Sequence, residues 1–201
     1  MDSFTWKITG RTSAEPPPEG WRDQLAIRLG YRPRRIGILA ELALYGALDC
    51  LDNAQENELP KDVLVRVSSS RGPVSAISQV LEQNRVDLPL PFSFLQSQTS
   101  QILPALAGAL NWQGDASVVM GRNPMNLAML ACQQAGRCGM LLGGVEEGSP
   151  SLSHWIRLAP CGSPPAEFIA ASSFEEMFSP STNYWRLGKS GMEIAPLCDQ
   201  Q

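Results

Sequence analysis

The segment 114–147 constrains the fold of this chain most, because it predicts four consecutive elements. A strand rich in β-branched residues (116–120) runs into a glycine-containing turn, and an apolar helix (124–135) follows that turn. A second strand (139–143) then ends in a Gly-Gly pair. In enzymes built on this strand–turn–helix frame, the nucleophile lies at the turn, where the N-terminus of the helix stabilises an anion.

The turn of this segment holds no such nucleophile. It reads Met120-Gly121-Arg122-Asn123, and none of these side chains is suited to covalent catalysis. Asn123 precedes a proline and is expected to cap the N-terminus of the helix. The sequence therefore keeps the frame of a catalytic site without the group that performs the chemistry.

The rest of the chain alternates strands with helices. Periodicity and turn residues predict strands at 4–9, closed by Gly10, and at 63–67, and helices at 34–55, 74–84 and 94–110. Pro104 is expected to kink the last of these helices or to divide it in two. The alternation predicts an α/β fold with a mainly parallel mixed sheet and packed helices.

The composition changes after residue 147. Residues 148–201 contain more serine and proline, with one apolar strand from Trp155 to Leu158 and a short helical piece from Phe174 to Phe178. We therefore predict a main domain over 1–147 and a divergent C-terminal tail over 148–201.

The charge of the chain argues against two classes of partner. The chain has a formal net charge of −4 and an isoelectric point of about 5.1. It therefore lacks the strongly basic surface with which proteins bind nucleic acids and anionic membranes. One short basic cluster, Arg32-Pro33-Arg34-Arg35, is either a solvated turn or a local contact for a phosphate or a carrier protein. No apolar stretch approaches the roughly 18 residues of a membrane span.

Cysteine and histidine usage predicts neither a metal nor a cofactor. The five cysteines show no CxxC spacing, and His154 is the one histidine, so a zinc site of the usual kinds is not expected. The N-terminus lacks the pattern of a signal peptide. Reduced thiols in the cytoplasm are the simplest expectation.

Five motifs follow one another along the chain. They are Ile8-Thr9-Gly10, the helix 34–55, the strand 63–67 with its Ser/Gly loop, the segment 94–114 followed by Asp115, and Gly143-Gly144-Val145-Glu146. In this order, over about residues 4–147, the chain resembles the N-terminal half of a β-ketoacyl synthase, a thiolase-fold enzyme, with Asp115 where that family has proline. The resemblance implies half of a thiolase-like fold.

Two departures from the catalytic members define the branch that the chain resembles. The cysteine that carries the acyl chain is missing from the turn, and Cys132 lies too far along the helix, more than about 10 Å away. The histidines of the family's C-terminal half have no counterpart here. The chain thus resembles the ketosynthase chain-length factors, in the short form associated with aryl polyene-type pigment pathways.

This resemblance implies a non-catalytic subunit of polyketide or fatty-acid-like biosynthesis, without a cofactor. The subunit would form a heterodimer with a catalytic ketosynthase, meet the acyl carrier protein through that complex, and bound the tunnel in which the polyene grows. The residues implied to line the tunnel are Phe94, Leu95, Gln98 and Thr99. For Phe94 and Leu95, a place in the core is the open alternative.

The resemblance also implies where the partner binds. Strand 116–120 should expose an unpaired edge that a second chain covers. Interface candidates are Val118 and Val119 on that strand and Ser97 and Ile102 on the neighbouring helix. Arg122 either pairs with a carboxylate of the partner or fills the vacant acyl site with its long stem. A purely structural role in supporting the turn is the open alternative.

Two other functions stay open. A small thioesterase or acyltransferase would use Cys132 or Cys138 as nucleophile and His154 as base, provided that the two groups lie within hydrogen-bond reach. A stand-alone acyl-binding module would need an apolar pocket within the single chain.

Overall fold

The structure is a computed structural model that describes residues 5–86, 90–121, 138–163, 165–173, 175–188 and 191–196. Within this part the chain forms one eight-stranded sheet with helices packed on it. The strands are β1 (Thr5–Ala14), β2 (Leu64–Ser69), β3 (Ala116–Met120), β4 (Met140–Glu146), β5 (Leu152–Pro160), β6 (Ile169–Ala170), β7 (Tyr184–Leu187) and β8 (Met192–Ala195). The helices are α1 (Trp21–Leu29), α2 (Ile38–Asn53), α3 (Val74–Arg85), α4 (Pro91–Gln96) and α5 (Ile102–Ala109), with 3₁₀ turns at Thr99–Gln101 and Glu175–Phe178.

The sheet is mixed, as predicted. Its strand order is β3-β2-β4-β5-β1-β7-β8-β6, and β2 runs parallel to both β3 and β4. The other pairs in the described part are antiparallel, so the expected predominance of parallel pairs holds only for β3, β2 and β4. The reason is the short connection from β4 to β5, which reverses the chain and starts an antiparallel series.

Strand β1 is longer than the sequence predicts. It continues through Gly10 to Ala14, and its register with β5 shifts between Ile8 and Gly10. Gly10 does not end the strand. A Cβ atom there would lie 2.3 Å from the Cys50 carbonyl oxygen, so glycine lets β1 cross close to the backbone of α2.

The sequence predicts correctly those helices that have a wide apolar stripe. Helix α2 buries most of one face, whereas α1 was not predicted because Leu25 is its one fully buried residue. The helix predicted at 94–110 divides into α4, a 3₁₀ turn and α5. The division lies before Pro104, which occupies the first turn of α5, where proline is tolerated.

Two apolar clusters hold the described part together. The larger cluster joins α2 and α5 to β2 and β4, with Trp155 and Trp112 among its members. The second cluster contains Trp6, Ile156 and Trp185. Strands β2, β4 and β5 contribute residues to both clusters, so the centre of the sheet is covered on both sides.

Residues after 147 supply strands to the same sheet. The strand predicted at Trp155–Leu158 is part of β5, which pairs with β4 on one side and β1 on the other. The helical piece predicted at 174–178 is the second 3₁₀ turn, and β6, β7 and β8 extend the sheet beyond β1. The predicted domain boundary after residue 147 therefore falls in the connection between two paired strands.

Trp155 connects the helical layer to the sheet. Its indole lies against Gly143 on β4 and Gly46 on α2, where an added Cβ atom would come within 2.6 Å and 2.5 Å of the ring. The indole N–H donates to Ser153 Oγ (3.0 Å), and the Ser153 hydroxyl donates to the Leu42 carbonyl (2.8 Å). The two glycines thus leave the space that the indole fills.

We expect Gly143→Ala to destabilise the fold, because the new methyl group would clash with the Trp155 ring in a close-packed interior. Overpacking of this kind typically costs about 1–3 kcal/mol. Gly144→Ala is the matched control, since its Cβ atom would meet only Ser68 Oγ at 3.7 Å. Urea unfolding measures both variants; an equal loss in the two would show that the Trp155 contact is not the cause.

Candidate functional site

Strand β3 forms one edge of the sheet, as predicted. It pairs with β2 alone among the described strands, over Ala116 to Met120. The side chains of Val119 and Met120 are 38% and 52% exposed, although both are apolar. An edge strand with exposed apolar side chains is a template for pairing with another chain.

Backbone hydrogen bonds define which groups of this edge face away from β2 and have no strand partner within the described part of the chain. Val65 N–H donates to the Asp115 carbonyl, and Gly121 N–H donates to the Ser69 carbonyl. The donor–acceptor distance is 3.0 Å in both hydrogen bonds. Because backbone groups alternate in direction along a strand, those of the intervening even-numbered residues face away from β2. These residues are Ala116, Val118 and Met120.

The start of β3 is fixed by a charged pair. The buried guanidinium of Arg66 on β2 binds both carboxylate oxygens of Asp115 at 3.0 Å, and it also donates to the Asp115 carbonyl. A bidentate arginine–carboxylate pair is geometrically specific. Gly114 must precede it, since a Cβ atom there would lie 2.2 Å from the Trp112 ring. The edge is therefore held in place at the residue immediately before it.

Glu146, at the end of β4, holds the loop that follows β2. Its carboxylate accepts hydrogen bonds from Ser69 Oγ (3.3 Å), Ser70 N–H and Arg71 N–H (3.1 Å), and it lies 3.7 Å from the Arg71 guanidinium. Ser69 Oγ in turn accepts from Gly72 N–H at 2.9 Å. The Gly-Gly-Val-Glu motif thus shapes the loop between β2 and α3.

Glu147 continues this support at the next position. It is buried, and its Oε1 accepts the Ser75 N–H of the first turn of α3 at 3.2 Å. Such a carboxylate stabilises the N-terminus of a helix. Sequence reasoning missed this role; two consecutive carboxylates after a Gly-Gly pair were the available signal.

Several predicted positions meet beside this loop. Gly72 has a left-handed φ of +67°, and a Cβ atom there would lie 3.0 Å from Thr99 Oγ1 and 3.2 Å from Met120 Cε. Thr99, a predicted tunnel residue, therefore lies close to the end of the edge strand. Gln98 and Thr99 line a crevice of only about 10 Å³, the space that one water molecule needs.

Helix α4 carries the other two predicted tunnel residues on its surface. Phe94 and Leu95 are 58% and 47% exposed, so neither belongs to the core of this chain. Of the interface candidates, Val119 is exposed, whereas Val118 and Ser97 are half-buried. Ile102 is buried in the larger apolar cluster and presents no surface to a partner.

Some predicted positions lie outside the described residues. They are Arg122 and Asn123 of the turn, the predicted helix 124–135 and Cys132. Met120 and Gly121 are therefore the part of the turn that the structure describes.

The structure does not bring Cys138 and His154 together. His154 lies opposite Gly144 in the β4–β5 register, and Cys138 precedes Gly144 by six residues, which is about 20 Å along a strand. The His154 ring contacts Ser13 Oγ at 2.9 Å and Glu15 at 3.4 Å. A Cys138–His154 catalytic pair is thus not formed.

The surroundings of Cys138 and Cys50 oppose formation of a thiolate. The Cys138 thiol donates to the Asp62 carboxylate, and this hydrogen bond raises the pKa of Cys138 above its ordinary value. Burial raises the pKa of the Cys50 thiol. Among the described residues, no group of three or more Cys, His, Asp and Glu side chains is placed to hold a metal ion. No described helix is long and apolar enough to cross a membrane.

Comparison with known proteins places the fold. No protein-family model matches the sequence, and no curated protein does. Among solved structures, the ishigamide ketosynthase/chain length factor superposes with a TM-score of 0.61 at 11% identity. The chain has the fold of ketosynthases and chain length factors. The predicted thiolase-like fold is therefore confirmed.

Two further structures of ketosynthase fold are similar. The ketosynthase ApeO in complex with its chain length factor ApeC from Xenorhabdus doucetiae gives a TM-score of 0.57 at 16% identity, with 84% of each chain covered. AntDE:AntF, a type II PKS acyl-carrier protein in complex with its ketosynthase bound to the hexaketide, gives a TM-score of 0.57 at 9% identity, covering 78% of this chain. The ishigamide match covers 79% of this chain. This chain spans 59% of the ishigamide chain and 62% of the AntDE:AntF chain.

We expect Asp62→Ala to accelerate alkylation of Cys138. Loss of the carboxylate removes the hydrogen bond that stabilises the protonated thiol, so the pKa falls and more thiolate is present at neutral pH. Iodoacetamide labelling followed by peptide mass spectrometry measures the rate, with Cys161 as the internal control. A hyper-reactive Cys138 in the unmodified chain would contradict this assignment and favour the thiol-enzyme alternative.

Proposed function

We propose that this chain is a non-catalytic, chain-length-factor-like subunit of a condensing enzyme. It pairs with a catalytic β-ketoacyl synthase and helps to bound the space in which that enzyme elongates an acyl chain. The observation that carries the proposal is the outer edge of β3, which no other described strand covers and which leads directly into a turn whose residues include no nucleophile.

The partner is argued from this edge. Its outward N–H and C=O groups need hydrogen-bond partners, and the exposed Val119 and Met120 add apolar surface beside them. The Arg66–Asp115 pair and the Gly121–Ser69 hydrogen bond hold the strand at both ends. A partner that adds a strand here therefore meets a preformed template. A second chain that covers β3 and α4 accounts for both features.

The role in chain length is argued from α4 and its surroundings. The crevice at Gln98 and Thr99 is far too small for a growing acyl chain. The exposed Phe94 and Leu95 supply an apolar wall but no enclosure. We infer that a tunnel forms only when a partner closes this surface, and that Phe94 and Leu95 then limit its length.

The residues of the turn after β3 support a non-catalytic role. Arg122 and Asn123 follow Gly121, where catalytic members carry the acyl-bearing cysteine, and neither forms an acyl-enzyme. Arg122 is proposed to pair with a carboxylate of the partner or to fill the vacant acyl site. Condensation then depends on the partner's cysteine, and the acyl carrier protein reaches this chain through the complex.

We expect Val119→Lys to prevent the heterodimer, because a charged side chain on an edge strand opposes strand addition. Co-expression with a partner β-ketoacyl synthase that binds the unmodified chain, followed by native mass spectrometry, should show at least about a tenfold loss of complex. Ile169→Lys is the matched control, since Ile169 is 64% exposed on β6, at the opposite end of the sheet. If both variants pair normally, β3 is not the interface.

We expect Leu95→Ala to lengthen the product of the assembled enzyme, because the smaller side chain leaves more room in the tunnel. Leu81→Ala is the control: Leu81 is 58% exposed on α3 and is not among the tunnel residues. Mass spectrometry of the products distinguishes the two. An unchanged product distribution from a fully assembled Leu95→Ala complex would remove Leu95 from the chain-length role.

A further inference from the structure

An open cleft of about 520 Å³ lies between α1, α2, α3 and α4. Its volume is within the range of small-molecule sites, roughly 300–1,000 Å³. Its floor is apolar and includes Leu25 and Ala76, both buried, and Ile38. Gln79 and Gln96 add amide groups to its walls. The cleft therefore offers both apolar contact and polar recognition, away from the edge of β3.

Three arginines line this cleft. Arg22 comes from α1, and Arg32 and Arg35 come from the connection between α1 and α2. One lining residue, Glu41, is acidic; it accepts a hydrogen bond from Arg22 Nε at 2.7 Å. The described lining residues thus carry three positive charges and one negative charge.

The guanidinium groups keep capacity for a ligand. Arg22 uses only Nε toward Glu41, and Arg32 contacts the exposed Asp23. Arg35 lies 4.6 Å from the Phe92 ring centre, and no carboxylate in the described part lies within salt-bridge distance of it. Stacking on an aromatic ring orients the planar guanidinium and leaves its N–H donors available.

Helix α2 adds to this positive environment. Its first turn borders the cleft through Gly37 and Ile38, and no side chain caps its N-terminus. The unpaired N–H groups and the dipole of such a terminus favour an anion. The helix terminus supports the site, while the arginines and the cavity define it.

We infer that this cleft binds a phosphate monoester with a short apolar substituent. A phosphate monoester carries about −2 charge near pH 7 and can accept several hydrogen bonds at once. Arg35 offers it an arginine without a carboxylate partner in the described part, and Arg22 and Arg32 offer the N–H donors that Glu41 and Asp23 leave free. Guanidinium groups match phosphate oxygens in a bidentate manner, and the floor at Leu25 and Ile38 accommodates the apolar part. This site does not depend on the heterodimer proposed above.

The test uses the full chain with hexyl phosphate, inorganic phosphate and hexanoate as probes in isothermal titration calorimetry. We expect hexyl phosphate to bind at a 1:1 ratio. Inorganic phosphate, which lacks the apolar part, and hexanoate, which carries one charge, should each bind at least about tenfold more weakly. Absence of hexyl phosphate binding up to about 10 mM, well above typical small-ligand affinities, would overturn the inference.

Two neighbouring arginines provide the matched variants. Arg35→Gln should weaken hexyl phosphate binding about tenfold, whereas Arg34→Gln, which changes an exposed arginine outside the lining, should weaken it less than about twofold. Arg35→Lys should recover only part of the affinity, since it restores the charge without the planar fork. Equal losses in Arg34→Gln and Arg35→Gln would show general charge attraction instead of a site. Thermal unfolding of each variant confirms that it remains folded.

Discussion

The contact between Trp155 and two glycines is the constraint on which the arrangement of this chain depends. The indole fills the space beside Gly143 on β4 and Gly46 on α2, and its N–H group is satisfied by Ser153. Protein interiors are close-packed, so a contact of this kind fixes the distance between helix and sheet. It also places β5 beside β4, and β5 in turn pairs with β1.

The strands on the two sides of β4 and β5 pair differently. Toward β8 the sheet continues with antiparallel strands, whereas toward β3 it ends in a parallel strand that is anchored by the Arg66–Asp115 pair. Glu146 and Glu147 hold the loop and helix beside that end. The chain thus maintains a rigid edge and an apolar helix surface next to a turn without a nucleophile. These features are the basis of the proposed role as a subunit that completes another protein's site.

The sequence predicted the elements whose patterns are strong and local. Strand β3 was predicted with the bounds that the structure shows, and α2 was predicted from its apolar stripe. Helix α1 was missed because its sequence is mostly polar, although Gly20 and Gly30 at its ends were available signals. The short strands β6 to β8 were missed because their pairing is with distant residues, which periodicity does not reveal.

The candidate sites were likewise predictable only where their signal is local in the sequence or follows from the resemblance. The edge at Val119 was predictable because strand order follows from the resemblance, and the exposure of Phe94 was left open because helix periodicity does not show what covers a face. The arginine cleft combines Arg22, Arg35 and Gln96, which lie in separate elements, so no local sequence pattern predicts it. The cluster at residues 32–35 was visible, but its partners across the cleft were not.

Hydrogen exchange at the edge of β3 tests the central claim most directly. Amide exchange of Ala116, Val118 and Met120 is measured by NMR in the chain alone and after addition of the ketosynthase. If a second chain covers this edge, these amides become at least about tenfold more protected in the complex. The amide of Val65, which is bonded within the sheet, serves as the reference that stays protected in both states. Unchanged exchange of the β3 amides in a complex that has demonstrably formed would contradict the account.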